Sequence, residues 1–166
     1  MPRRFFVRHE TRHDCLVSQI KCGLGAAAAL SAVGWLGNAV HAPLLLAPFG
    51  ATAVLVFGQP ASPLAQPANV IGGYLTAGVV AVVAVLALPA TWWAAGLAVG
   101  CAIMLMAAMR LTHPPAGAVP LLALGGGALP PTELLAISLG GAVALTLWGA
   151  LLHRLPPRFE YPRKPA

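Results

Sequence analysis

The residues best suited to chemistry form one short run, Arg110-Leu111-Thr112-His113-Pro114-Pro115-Ala116-Gly117-Ala118, which sets a cation, a hydroxyl and an imidazole beside a helix start. A second run, Pro48-Phe49-Gly50-Ala51-Thr52, follows the same pattern without the charge. Proline presets a first helical turn where its missing N–H is not needed, and glycine lets a ligand or another backbone approach closely. A helix beginning at either run offers unpaired N–H groups and the positive end of its dipole, so the natural ligand is an anion. On this reading the backbone N–H groups near Gly50-Ala51 and Gly117-Ala118 supply partial positive charge, with Thr52 and Thr112 as neutral donors. His113 is expected at the mouth of the path, able to titrate near neutral pH, and Arg110 raises the local anion concentration. Gln66 and Asn69 add amides. Partial charges compensate desolvation without a full ion pair, so a small ion can also leave.

One literal enzyme motif is present, His9-Glu10-Thr11-Arg12-His13, in which two His at i and i+4 could hold zinc while the Glu activates water. The stretch that carries it is too short to build a substrate cleft and has no evident third ligand, so a zinc-dependent membrane protease is only the remote alternative. Neither a metal nor a cofactor is called for, and no enzymatic activity is expected. Cys15, Cys22 and Cys101 match no disulfide framework. Glu133 follows Pro131-Thr132 and suits the positive end of its own helix.

The elements that must position these groups are membrane helices. The chain is 58% apolar and 8% charged, with a mean hydropathy of +0.81, which excludes a soluble globular domain. Residues 22–109 hold no Asp, Glu, Lys or Arg, and the basic residues cluster in residues 1–21 and 154–166, with Arg110 alone between. The net charge of +6 therefore reads as a topology signal beside anionic lipid, not as a nucleic-acid surface. Both termini are expected on the cytoplasmic side, and the inner membrane of a bacterium is the expected location.

About 20 apolar residues span the hydrocarbon core as a helix. Runs near residues 22–40, 69–88, 92–111 and 133–153 reach that length. Two Pro- and Gly-rich pieces, residues 44–57 and 116–124, do not, and such pieces are tolerated at membrane depth only where protein or a water-filled cavity surrounds the freed backbone. The expectation is an all-α polytopic membrane protein with four long transmembrane helices and two short broken or re-entrant segments. In a second topology the short pieces also cross, giving six spans, inverted halves and a cytoplasmic Arg110. Residues 1–21 form a basic tail, 22–153 the transmembrane domain and 154–166 a basic, Pro-rich tail.

Pro48, Gly50, Ala51, Leu55 and Gly58 match Pro115, Gly117, Ala118, Leu122 and Gly125 at a constant offset, and each short piece precedes a helix with a Gly-Gly step, Gly72-Gly73 or Gly140-Gly141. That suggests a two-fold internal repeat over residues 22–88 and 92–153. Interrupted segments at matching places in two halves point to a transport site.

The stretches RLTHPPAGA, from Arg110, FGATAVLVF, from Phe49, and SPLAQPANVIGG, from Ser62, resemble the three signature stretches of the HPP family of integral membrane proteins. With their flanking helices they cover nearly the whole chain from about residue 20 to 155. The resemblance implies a compact four-helix-type membrane protein, in a family with bacterial and plastid members, some linked to nitrite transport. Ala68 stands where relatives commonly carry a basic residue, and Tyr74 where a His is frequent. Some longer relatives append CBS domains; the short tail here leads us to expect no nucleotide sensing in this chain.

The expected function is a transporter or channel for a small inorganic anion, nitrite first, in the lipid bilayer. The alternative is a structural or assembly subunit with no substrate of its own. Gly96 and Gly100 form a GxxxG pair, which suggests a homo-oligomer.

Overall fold

The structure, a computed structural model, describes residues 15–126 and 129–163. The His9–His13 run lies outside them. Six helices follow in order: α1 (Leu16–Ala39), α2 (Ala47–Gly58), α3 (Pro67–Ala87), α4 (Trp92–Ala108), α5 (Pro114–Leu124) and α6 (Pro131–Leu152). Among the described residues there is no strand.

Three helices, α1, α3 and α6, are long and apolar enough to cross a bilayer, at 24, 21 and 22 residues. The fourth expected span, α4, has 17 residues, because its chain turns away at Met109, short of the expected residue 111. Conversely, α1 starts at Leu16, so the last residues of the expected basic tail are helical. Pro67 and Pro131 each occupy the first helical position of α3 and α6, where the ring costs no hydrogen bond.

Helix directions follow from contacts. The Trp148 indole N–H donates to the Gly25 carbonyl, and a Cβ on Gly25 would strike Leu152, so the start of α1 lies at the end of α6. Tyr161, just beyond α6, donates to the carbonyl of Ala65, just before α3. The starts of α1 and α3 and the end of α6 therefore share one end of the bundle, called the near end below. The chain between α1 and α3 must return from the far end to the near end, and α2 makes that return. Phe49 fits against Gly141 and Val56 against Gly149, so α2 runs parallel to α6. By the same logic α5 runs parallel to α3: His113 meets Gly73 at its start, and Leu124 packs with Ala84 at its finish. The short segments run in opposite directions, α2 toward the near end and α5 away from it.

The near end also collects the basic residues among those described. Lys21, Arg154, Arg158 and Arg163 flank α1 and α6, and Arg110 precedes Leu111, which lies against Gly72 in the second turn of α3. At the far end Leu124 packs on Ala84, Ala94, Ala95 and Ala98. Ala77, Ala81 and Ala84 of α3 are buried, as are Ala94, Ala98 and Ala102 of α4; small side chains at helical spacing let the backbones approach closely.

Helices α1 and α4 end alike. At the first, Ala42 N–H bonds to Gly37 O at 2.9 Å, with His41 at φ 54. At the second, Leu111 N–H bonds to Met106 O at 2.8 Å and Arg110 N–H to Ala107 O at 3.1 Å, with Arg110 at φ 57. Each is a Schellman turn with a left-handed residue that is not glycine. The turn folds the chain back over the helix it has just left and aims the following residues into the bundle.

Candidate functional site

Three buried hydroxyls are absorbed by their own helix. Thr76 donates to Gly72 O at 2.7 Å, Thr146 to Ala142 O at 2.7 Å and Ser138 to Leu135 O at 3.0 Å, the local back-bonding that costs a membrane helix little. Three other polar side chains instead bond to one another across elements. Thr52 on α2, Tyr74 on α3 and His113 before α5 each have 0% exposure. The Thr52 and Tyr74 hydroxyls are 2.8 Å apart, Thr52 Oγ1 lies 2.9 Å from His113 Nε2, and His113 Nδ1 lies 2.8 Å from Leu64 O.

The chemistry of the acceptors fixes the direction of this chain. A carbonyl only accepts, so Nδ1 carries the proton toward Leu64, and in the neutral ring Nε2 accepts. Thr52 then donates to Nε2 and accepts from the Tyr74 phenol. Every donor in the line is used.

Local structure brings the three together. The Schellman turn at Arg110 folds residues 111–113 onto α3, where a Cβ on Gly73 would sit 2.7 Å from His113 Cβ and 3.2 Å from Leu111 O. Only glycine permits that approach. Asn69 secures the same loop by donating to Thr112 O at 3.0 Å. On the other side the Phe49 ring fills the space above Gly141, where a Cβ would clash with it, and α2 is thereby seated with Thr52 facing inward. Phe49 and His113 flank Tyr74 with ring centroids 5.8 and 5.5 Å away.

Several sequence expectations are relocated. His113 lies inside the bundle, not at a mouth. Pro114 and Pro115 carry no N–H, and the first N–H of α5, on Ala116, is taken by His113 O at 3.0 Å. Gly50 and Ala51 are exposed on the outer side of α2, Gly117 and Ala118 are half-buried, and nothing lies within 4 Å of a Cβ built on Gly50 or Gly117. Arg110 is exposed. Gln66 donates to the carbonyls of Pro60 and Ser62 at 2.9 Å each, shaping the turn before α3. Of the expected site residues the structure unites Thr52 and His113, with Thr112 and Asn69 bracing the loop. Tyr74 is not among the expected site residues, and the resemblance, which implies a His at this position in relatives, is the sequence signal that points to it.

Comparison with known proteins agrees with this membrane architecture. The family model described as HPP, transmembrane region, matches residues 11–162. Two Dictyostelium discoideum proteins, each described only as a transmembrane protein, are 44% identical over 87 residues and 43% identical over 82. These matches cover 50% and 47% of this chain but 30% and 26% of the relatives, so the chain corresponds to less than a third of either. No solved structure matches.

Proposed function

As the chain belongs to the HPP family of integral membrane proteins, we propose that it carries a small monovalent anion, nitrite first, across the bilayer along the seam where α2 and α5 meet α3. The observation that supports this reading is the buried Thr52–Tyr74–His113 chain. Polar groups at membrane depth are costly, and here they join two discontinuous segments. Hydroxyl and imidazole N–H donors suit a weakly basic ion, which they can desolvate without trapping. The donors are therefore side chains more than helix ends, a shift from the sequence expectation with the same ligand class.

The paired features of the two halves support a two-fold inverted repeat. Each half has a helix closed by a left-handed non-glycine turn, a broken segment, and a helix whose Gly-Gly step seats the opposite half's broken segment, Phe49 at Gly141 and His113 at Gly73. Rocking of such halves about the seam is the motion that transporters of this plan use. On this reading the near end faces the cytoplasm of a bacterium whose inner membrane holds the protein, which the described basic residues gathered there support. No enzymatic step is part of this reading.

Proteoliposomes containing the protein are expected to take up nitrite faster than empty vesicles, with nitrate, formate and chloride as comparisons. Thr52→Val keeps the shape but leaves the Tyr74 phenol and His113 Nε2 without partners, at a cost of about 1–3 kcal/mol for each unsatisfied group. Nitrite flux at matched reconstitution should fall at least about tenfold, the equivalent of about 1.4 kcal/mol and so within the range for one such group. Wild-type flux in this variant would refute the assignment. The rival reading, a packing subunit without substrate, is favoured by the internal saturation of the chain; it requires the seam to stay dry and predicts no flux from the parent protein.

Gly96 and Gly100 face away from the bundle, with nothing within 4 Å of a Cβ at either, and we assign to this face the self-association of the protein. Single-molecule counting in lipid should give dimers or trimers, and Gly96→Leu should shift the count to monomers. Monomers in the parent protein would remove the idea.

A further inference from the structure

Residues 153–163 fold back across the near end of the bundle. His153 Nε2 donates to Val56 O at 2.8 Å, and the Phe159 N–H returns to His153 O at 3.1 Å. The His153 ring centroid lies 5.5 Å from that of Phe159 and 5.4 Å from that of Tyr161. Lys21 of α1 clamps the segment from the other side, donating to the carbonyls of Leu155 and Pro157 with its ammonium 4.3 Å from the Phe159 ring centre.

The outer part of this strap is tied to residues 59–66, the turn between α2 and α3. The Tyr161 phenol donates to Ala65 O at 3.0 Å, the Arg163 N–H to Gln66 Oε1 at 2.8 Å and the Arg163 guanidinium to Ala61 O at 3.0 Å. Tyr161 is buried, and burial pushes its phenol up to about 12, so it remains a donor at any ordinary pH. On its other side the same turn offers Leu64 O to His113 Nδ1. Neighbouring carbonyls, those of Leu64 and Ala65, are thus held from opposite sides: one by the candidate transport site, the other by the strap. A single layer of backbone separates the two.

We propose that residues 159–163 are a gate at the near end. Docked, they hold residues 59–66 shut over the Thr52–Tyr74–His113 chain. Lifted, they release that turn, draw the Leu64 carbonyl from His113 and admit water to the seam. Arg163 is exposed, and Tyr161 is held by its phenolic bond to Ala65 O and by its ring packing on His153; all of these residues lie outside helices α1 to α6, so the strap can undock without breaking one. This gate rests on the reading of that chain as a transport site.

The test combines amide hydrogen exchange and nitrite flux in proteoliposomes for the parent protein, Tyr161→Phe and Arg163→Ala. Tyr161→Phe removes only the hydroxyl, and the amides of residues 59–66 should exchange about tenfold faster, as expected for one lost hydrogen bond to a locally opening segment. Arg163→Ala keeps its backbone N–H bond and changes only an exposed side chain, so it should give a smaller increase in the same turn. Exchange within α3 and α6 should not change, and flux should rise in both variants. Faster exchange throughout the bundle, or none in residues 59–66, would overturn the gate, because the strap would then be a general brace or idle. Localised exchange with flux equal to the parent's would overturn it too. Absence of flux from all three proteins would overturn the transport reading instead, leaving the exchange data to decide whether the strap holds the turn.

Discussion

Gly73→Ala is expected to abolish nitrite flux while leaving the protein inserted in the membrane. The new Cβ would lie 2.7 Å from His113 Cβ and 3.2 Å from Leu111 O, and neither neighbour is a flexible tip. Leu111 and His113 belong to a backbone held by the Schellman turn at Arg110 and by the Asn69 bond to Thr112 O. Helix α3 cannot recede, since Gly78 on the same helix already touches Leu135 of α6. The loop must therefore lift, and a shift of a few tenths of an ångström or more is applied to a ring bonded at both nitrogens. Overpacking of this kind costs about 1–3 kcal/mol, and the His113–Thr52 bond is the first to be lost. Gly117→Ala is the control, because a Cβ there meets nothing within 4 Å. Flux and thermal midpoint in detergent should both fall for Gly73→Ala and stay near the parent's for Gly117→Ala; equal flux in the two variants would show that the loop position is irrelevant to transport.

The second large effect is expected at His113→Ala. The substitution deprives the Thr52 hydroxyl of its acceptor and the Leu64 carbonyl of its donor and opens a void beside Tyr74, together costing about 3–5 kcal/mol. A lower thermal midpoint is one readout, but the pH profile is the specific one. In the neutral ring Nε2 accepts from Thr52. Protonated, both ring nitrogens donate, so Thr52 must present its oxygen to the ring and turn its own proton away, and the direction of the chain reverses. Nitrite flux through the parent protein should therefore change as the pH is lowered from neutral, and the residual flux of His113→Ala should be flat. A His113→Ala profile parallel to the parent's would show that another group titrates.

Much of the helical frame was legible in the sequence, because runs without a charge leave a membrane helix as the only way to satisfy the backbone. The matches of α3 and α6 to their expected ranges come from prolines that mark a start and apolar runs that define a length. Direction was harder. A run such as residues 44–57 states how far it can reach but not which way it points, and the deciding contacts, Phe49 on Gly141 and His113 on Gly73, join residues far apart in the chain. Arg110 is consistent with these directions, since it precedes Leu111, which lies against Gly72 near the basic end. At the site, His113 and Thr52 were identifiable by type, whereas the burial of His113 inside the bundle depends on its contact with Gly73, far away in the chain. Residues 153–163 have no hydrophobic period, so their docking against the turn before α3 could not be read from pattern at all.

The parallel pairing of α2 with α6 also constrains how the protein is made. During synthesis α2 emerges long before its partner: Val56 and His153 are 97 positions apart, and the slot for Phe49 does not exist until Gly141 has left the ribosome. The first half thus enters the membrane with neither the slot that seats α2 nor the imidazole that completes the line. The second half must then slide α5 between helices already in place. Neither half can mature as an independent unit. Truncation between α3 and α4 should yield an early intermediate that quality-control proteases recognise, with the last helix acting as the step that commits the chain to its native form.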